Sequence, residues 1–158
     1  MKALALFREV LTRKTLRLTP ARAAIVEAAL ARQGHYPIED LVKDLRRRGI
    51  RGSKATVYRA LPLLAEAGIV QAAIITGENK RYETSFGKVH HDHLVCTGCG
   101  TVVEFEFEAF EILQREVAAR HGFHLEGHLH QLLGRCAECR AAGPGSGRAE
   151  DPSKAEEN

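Results

Sequence analysis

The chain contains no tryptophan, one methionine and only 6% aromatic residues. Nowhere does it approach the ~18 consecutive apolar residues that a membrane-spanning helix needs, so no membrane partner is expected. The apolar stretch Met1–Phe7 stops at Arg8-Glu9. That is too short for the core of a secretion signal, and no small-residue cleavage site follows; the expectation is a cytoplasmic protein. No nucleophile or general-base motif is evident, so neither an enzyme nor a small-molecule substrate is expected. Cysteine is scarce as well. All four cysteines fall in two CxxC pairs, Cys96-Thr97-Gly98-Cys99 and Cys136-Ala137-Glu138-Cys139, with no thiol left over.

Each CxxC turn can offer two thiolates to one metal, and two such turns complete the tetrahedral all-sulfur set that zinc prefers. Two disulfides are the alternative, but a chain without a secretion signal usually meets a reducing compartment.

Within 158 residues there is room for one domain or two small ones. The net charge of +3 conceals an asymmetry: residues 1–81 hold 16 Lys+Arg against 7 Asp+Glu, and residues 82–158 hold 7 against 13. A basic half followed by an acidic half rich in His and Cys suggests polyanion binding in the first and cation binding in the second. Solvated helix faces would account for the basic charge equally well.

An opening helix is expected over residues 3–15. Thr19-Pro20 reads as the start of a second, a capping hydroxyl followed by proline in the first turn. Pro37 opens a third, which carries Glu39 and Asp40 at its positive end and stops at Gly49. Ser53 can cap a further helix in which Val57, Leu61 and Leu64 face inward, leaving Thr56 and Arg59 on another face. Pro62 should kink or end it early. Strands over 69–75 and 81–84, joined around Gly77-Glu78-Asn79, complete a helix-turn-helix with a β wing, whose last helix would enter the major groove of DNA.

The second half predicts strands over 92–95 and 101–107, a helix over 109–121 with Phe110, Leu113 and Val117 inward, and a strand pattern over 123–133. That pattern sets Phe123, Leu125 and Leu129 against His124, Glu126, His128 and His130. The fold class expected is therefore α+β: an N-terminal winged-helix DNA-binding domain, then a small α/β dimerisation domain with a four-cysteine zinc site. The boundaries expected are 1–82 for the first domain, 83–89 for a hinge, 90–140 for the dimerisation and metal-binding domain, and 141–158 for a disordered tail.

Seven of the eight histidines lie in residues 90–130. In His90-His91-Asp92-His93, strand alternation turns His91 and His93 one way and His90 and Asp92 the other. One short segment can therefore serve two metal sites on opposite faces. For His124 and His130, which share a face with His128, ligand and solvent-facing roles both stay open.

The run from His90 to Gly100, followed by Val103-Glu104-Phe105, resembles the signature of the ferric uptake regulator family of bacterial metal-dependent transcription repressors. Ala55-Thr56-Val57-Tyr58-Arg59-Ala60-Leu61 with Ala67-Gly68-Ile69-Val70 is similar to the family's recognition helix, and Cys136–Cys139 to its second zinc knuckle. The resemblance spans about residues 10–140. It implies structural Zn(II) on Cys96, Cys99, Cys136 and Cys139. It implies a regulatory metal site of His35, Glu83, His91, His93 and Glu104, and a second site of His90, Asp92, Glu111 and His128. Tyr58 and Arg59, with Thr56 beside them, would meet DNA bases or backbone, and Arg17 and Arg22 would meet phosphates. A homodimer on a palindromic double-stranded operator is implied too. The regulatory set lacks thiolate, which suits Fe(II) or Mn(II), although Zn(II) binds such ligands more tightly. Zinc-sensing relatives often place cysteine in the hinge and peroxide-sensing ones aspartate at position 104; this chain has neither. The remoter alternatives are a zinc-dependent enzyme and a thiol redox switch.

Overall fold

The computed structural model describes residues 2–50, 54–76 and 79–143. The expected Ser53 cap, the Gly77-Glu78 part of the wing turn and residues 144–158 of the expected tail lie outside the described residues. The chain divides into two compact units, Met1–Val89 and His90–Asn158.

Among the described residues the first unit is built from four helices and a three-stranded sheet: α1 (Lys2–Arg13), α2 (Pro20–Leu30), β1 (Tyr36–Pro37), α3 (Ile38–Arg47), α4 (Lys54–Glu66), β2 (Val70–Thr76) and β3 (Asn79–Thr84). Ala3, Phe7, Val10 and Leu11 recur at helical spacing and are all buried, so α1 lays one apolar face on the bundle. Thr19 caps α2 by accepting from the backbone N–H of Arg22. The core joins these helices through Ile25, Leu41, Leu45, Val57, Leu64 and Ile69, each Leu, Ile or Val burial contributing about 1.5–3 kcal/mol.

Pro62 does not end α4, which continues to Glu66. Its missing N–H removes one backbone bond, but Leu63 and Leu64 in the next turn are buried in the core, and that packing holds the last turn helical. Gly68 then turns the chain at φ 64°, where Ile69 N–H reaches back to the Leu64 carbonyl at 2.9 Å. Only a residue without Cβ accepts that conformation cheaply. The hairpin β2–β3 follows, and the sheet order is β1-β3-β2. Periodicity does not reveal β1, a two-residue strand whose Tyr36 pairs with Tyr82.

The second unit contains β4 (Asp92–Cys96), β5 (Val102–Phe105), α5 (Glu108–Arg120), β6 (Gln131–Gly134) and α6 (Ala137–Ala141). Its sheet has the order β5-β4-β6. β4 pairs antiparallel with β5 and parallel with β6, the parallel pairing requiring a crossover that α5 supplies.

Two expectations are corrected in this unit. Leu113 and Val117 do not point into a core: both are more than half exposed, and α5 buries no residue. The strand expected over 123–133 is confined to Gln131–Gly134, and Phe123, Leu125 and Leu129 are exposed. Both departures have one physical cause. Among the described residues no strand pairs with 123–130, and one three-stranded sheet with α5 and the short α6 offers too little surface to cover both apolar faces.

Candidate metal centres and nucleic-acid interface

The four cysteines converge from the two ends of the second unit. Cys96 closes β4, and a tight turn with Gly100 N–H on the Cys96 carbonyl (2.9 Å) brings Cys99 back beside it. Cys136 caps α6, its Sγ accepting from Cys139 N–H. Thr97 N–H on the Gly134 carbonyl (2.7 Å) ties the turns together. Gly98 is required there, because a Cβ at that position would stand 2.8 Å from Cys139 Sγ.

All four sulfurs lie within 4.8 Å of one another, and Cys99 Sγ is 3.8 Å from Cys136 Sγ. With Zn–S bonds of about 2.3 Å, a tetrahedron has edges of about 3.8 Å; a disulfide needs about 2.05 Å. All four are free cysteines, and the set fits one tetrahedral ion. Backbone N–H groups aimed at sulfur, that of Cys136 foremost, bring the Cys96 thiol down to about 5. Cys139 is pushed up to about 12 by its side-chain hydrogen bond with Cys136 and by burial. A cluster that already favours thiolate at one sulfur and crowds the others is suited to a cation, which would displace the remaining protons.

The outward alternation of β4 builds a second cluster in the same unit. His90 Nε2 and His128 Nε2 are 2.7 Å apart. Asp92 Oδ1 lies 3.5 Å from both, and Glu111 Oε1 lies 3.3 and 3.4 Å from them. With bonds of about 2.1 Å, ligand–ligand edges are about 3.0 Å in an octahedron and about 3.4 Å in a tetrahedron, so these separations suit one shared ion. Asp92 Oδ1 is moreover buried without a hydrogen-bond partner, an arrangement that costs free energy unless a cation compensates it.

On the other face of β4, His91 and His93 present rings 5.0 Å apart. Glu104 is the cross-strand partner of His93 on β5, and its Oε2 stands 3.7 Å from His91 Nε2. In the first unit, the Tyr36–Tyr82 pairing sets the preceding residue, His35, beside Glu83, with Nε2 3.8 Å from Oε2. Glu83 is fully buried. Gln71 Nε2 donates to its Oε1 at 2.8 Å, and Lys88 Nζ approaches Oε2 at 3.2 Å.

The basic surface begins with α4, where Tyr58 and Arg59 are exposed and Thr56 is half-buried. Tyr58 is oriented: its hydroxyl donates to Glu39 Oε1 at 2.7 Å, and Lys54 Nζ meets the same oxygen at 3.1 Å. The carboxylate acceptor pushes Tyr58 up to about 12 and, through the same bond, holds Glu39 below its usual range. Arg17 and Arg22 flank the start of α2, with Arg22 Nη1 on the Arg17 carbonyl at 2.6 Å. Two cations at a positive helix end form an anion-favouring corner.

Sequence patterns miss Gln71 and Lys88 on Glu83, Gln114, which donates to Glu111 Oε2 at 2.7 Å, and the Glu39–Tyr58 bond. The Gln71–Glu83 and Glu39–Tyr58 contacts join different elements through register and helix packing, whereas Gln114 and Glu111 are three residues apart on α5, a spacing that any helix brings together.

A winged helix with an exposed basic helix, followed by a unit carrying a four-cysteine centre and two further His/carboxylate ligand groups, defines a metal-responsive DNA-binding regulator. Residues 13–132 match the profile of the ferric uptake regulator family. The chain is 41% identical over 128 residues to the ferric uptake regulation protein of Escherichia coli (strain K12), covering 79% of this chain and 86% of that one. The structure of the Helicobacter pylori ferric uptake regulator, described as revealing three functional metal binding sites, shares 26% identity at a TM-score of 0.68, with 87% of this chain and 91% of that one covered. A zinc uptake regulator solved with zinc and DNA shares 26% identity at a TM-score of 0.58, covering 90% and 97%. The chain belongs to the ferric uptake regulator family, whose members are DNA-binding transcription regulators and not enzymes.

Proposed function

We propose that the protein is a cytoplasmic, Fe(II)-responsive repressor that binds a palindromic operator as a homodimer when its regulatory site is loaded. The observation that carries this is the incompleteness of two ligand groups. His35 and Glu83 belong to the first unit, and His91, His93 and Glu104 to the second. Neither set alone satisfies a five- or six-coordinate cation. An ion taking ligands from both favours whichever arrangement lets all of them reach it, and so shifts the population toward that arrangement.

Three imidazoles and two carboxylates without thiolate favour Fe(II) or Mn(II) by ligand hardness, whereas Zn(II) has the higher intrinsic affinity. Mn(II) is therefore the second reading. Cys96, Cys99, Cys136 and Cys139 would hold a structural Zn(II), and His90, Asp92, Glu111 and His128 a second ion. The exposed apolar side chains Leu113, Val117, Phe123 and Leu129 support a second copy as the partner that covers them. A two-fold dimer would fix the spacing of two α4 helices for half-sites about one helical turn, ~34 Å, apart or a multiple of it. On DNA, Arg59 and Tyr58 would reach the groove, Thr56 would lie beside them, and Arg17 and Arg22 would meet phosphates.

The test is selection of duplex sequences by the full-length protein under anaerobic Fe(II), Mn(II) or chelator. A palindromic motif enriched only with metal, and lost in His91→Ala while that variant keeps its zinc and its dimeric state, is the expected result. Equal enrichment under chelation defeats the proposal.

A further inference from the structure

His130 belongs to none of the three ligand sets, yet the structure gives it a defined place beside one of them. Its carbonyl accepts from His93 N–H at 3.4 Å, which anchors the chain against β4 immediately before the parallel β4–β6 pairing begins. The imidazole then faces Asp92, with Nδ1 3.3 Å from Oδ2. The ring sits edge-on to Phe110 of α5 at 4.5 Å and to Phe105 of β5 at 6.4 Å between centroids, so two aromatic rings limit its rotation. The Asp92 carboxylate is thus divided. Oδ1 faces the His90–His128 pair at 3.5 Å, and Oδ2 faces His130.

We propose that His130 is a positioning residue of the second metal site: its Nδ1–H holds Asp92 Oδ2, aims Oδ1 at the ion, and sets how tightly the site binds. This rests on the assignment of His90, Asp92, Glu111 and His128 as ligands. A carboxylate ligand held by an outer donor keeps one oxygen for the metal and loses less freedom on binding. Removing such outer partners typically costs 10–100-fold in affinity.

The experiment uses full-length, zinc-loaded protein carrying His91→Ala to disable the regulatory site. Co(II) is titrated against a chelator of known affinity while the ligand-field absorption is followed. His130→Phe keeps an aromatic ring in the Phe105–Phe110 cage but lacks the ring N–H; His130→Asn restores a donor. The expected result is Co(II) binding weaker by about 10–100-fold in His130→Phe, with unchanged band positions, and recovery of most of that loss in His130→Asn. Unchanged affinity in His130→Phe overturns the proposal. So does a shift of the bands that reports a lost ligand, or an Asn variant as weak as the Phe variant. Asp92→Ala separates the two levels: if it leaves Co(II) binding intact, the site assignment itself fails, whatever His130 does.

Discussion

With a structural Zn(II) on the four cysteines, as proposed, its withdrawal is expected to unfold the second unit and spare the first. Among the described residues, the buried apolar ones of the second unit are Val95, Cys96 and Cys139, whereas the first fully buries Phe7, Leu11, Ile25, Leu41, Leu45, Leu64 and Ile69. A metal held by all four cysteines would cross-link Cys99, whose Sγ lies 3.8 Å from that of Cys136, to Cys136 and so close the chain between them into one loop. Closing a loop of roughly 40 residues is worth about 4 kcal/mol of chain entropy, against a total of about 5–15 kcal/mol for a typical domain. A unit with so small a core has no comparable reserve.

Hydrogen exchange read by mass spectrometry, before and after treatment with a strong chelator, measures this for each segment. Amides of β4 and β6 should lose protection by roughly a thousandfold, the factor equivalent to 4 kcal/mol. Those of α2, α3 and α4 should change little. Equal protection in both units after verified metal loss would refute the reasoning, because the second unit would then stand on its own packing. Cys96→Ser should reproduce the chelated pattern without chelator.

Further outcomes follow from the other contacts. In Glu39→Ala, the Tyr58 phenol should titrate near the ordinary 10 instead of about 12, as followed by NMR of ring-labelled tyrosine. The sign of the linkage is fixed by the two shifts: the Tyr58–Glu39 bond contributes fully below pH ~10 and is lost as pH rises through the folded value of about 12, while at the acid end it is lost as Glu39 protonates, below its ordinary 4.5. Arg59→Ala should weaken DNA binding and reduce the dependence of log affinity on log salt by about one if the guanidinium meets a phosphate; an unchanged slope with relaxed sequence preference would instead assign it to a base. Phe123→Glu, on a side chain 74% exposed in the single chain, should shift sedimentation from dimer to monomer, and an unaltered dimer would move the interface elsewhere.

Much of the candidate site was legible because it is local. CxxC spacing brings two sulfurs together within one turn, and the two-residue period of a strand separates His90 and Asp92 from His91 and His93 whatever the rest of the chain does. The Thr19 cap and the apolar spacing of α4 are equally local. What escaped depends on tertiary packing. Pro62 lies in a helix that its local chemistry would end, because Leu63 and Leu64 are held in the core. β1 is two residues long and exists through its register with β3, yet it is what sets His35 beside Glu83. The alternation over 123–133 is a true strand pattern in the sequence, but a strand needs a neighbour, and the single chain supplies one only for Gln131–Gly134. His130 carries no motif; its place emerges from the packing that sets it next to Asp92.

The central claim is that regulatory metal and DNA bind the same arrangement of the two units, and linkage makes that testable in reverse. If metal tightens operator binding by some factor, the operator must tighten metal binding by the same factor. Anaerobic Mn(II) titration of zinc-loaded protein, with and without a saturating specific duplex, measures it directly. Metal affinity should be at least about fivefold higher with the duplex, matching the gain in DNA affinity, and should not change with the duplex in His91→Ala. Metal affinity indifferent to the duplex in the unaltered protein would contradict the claim.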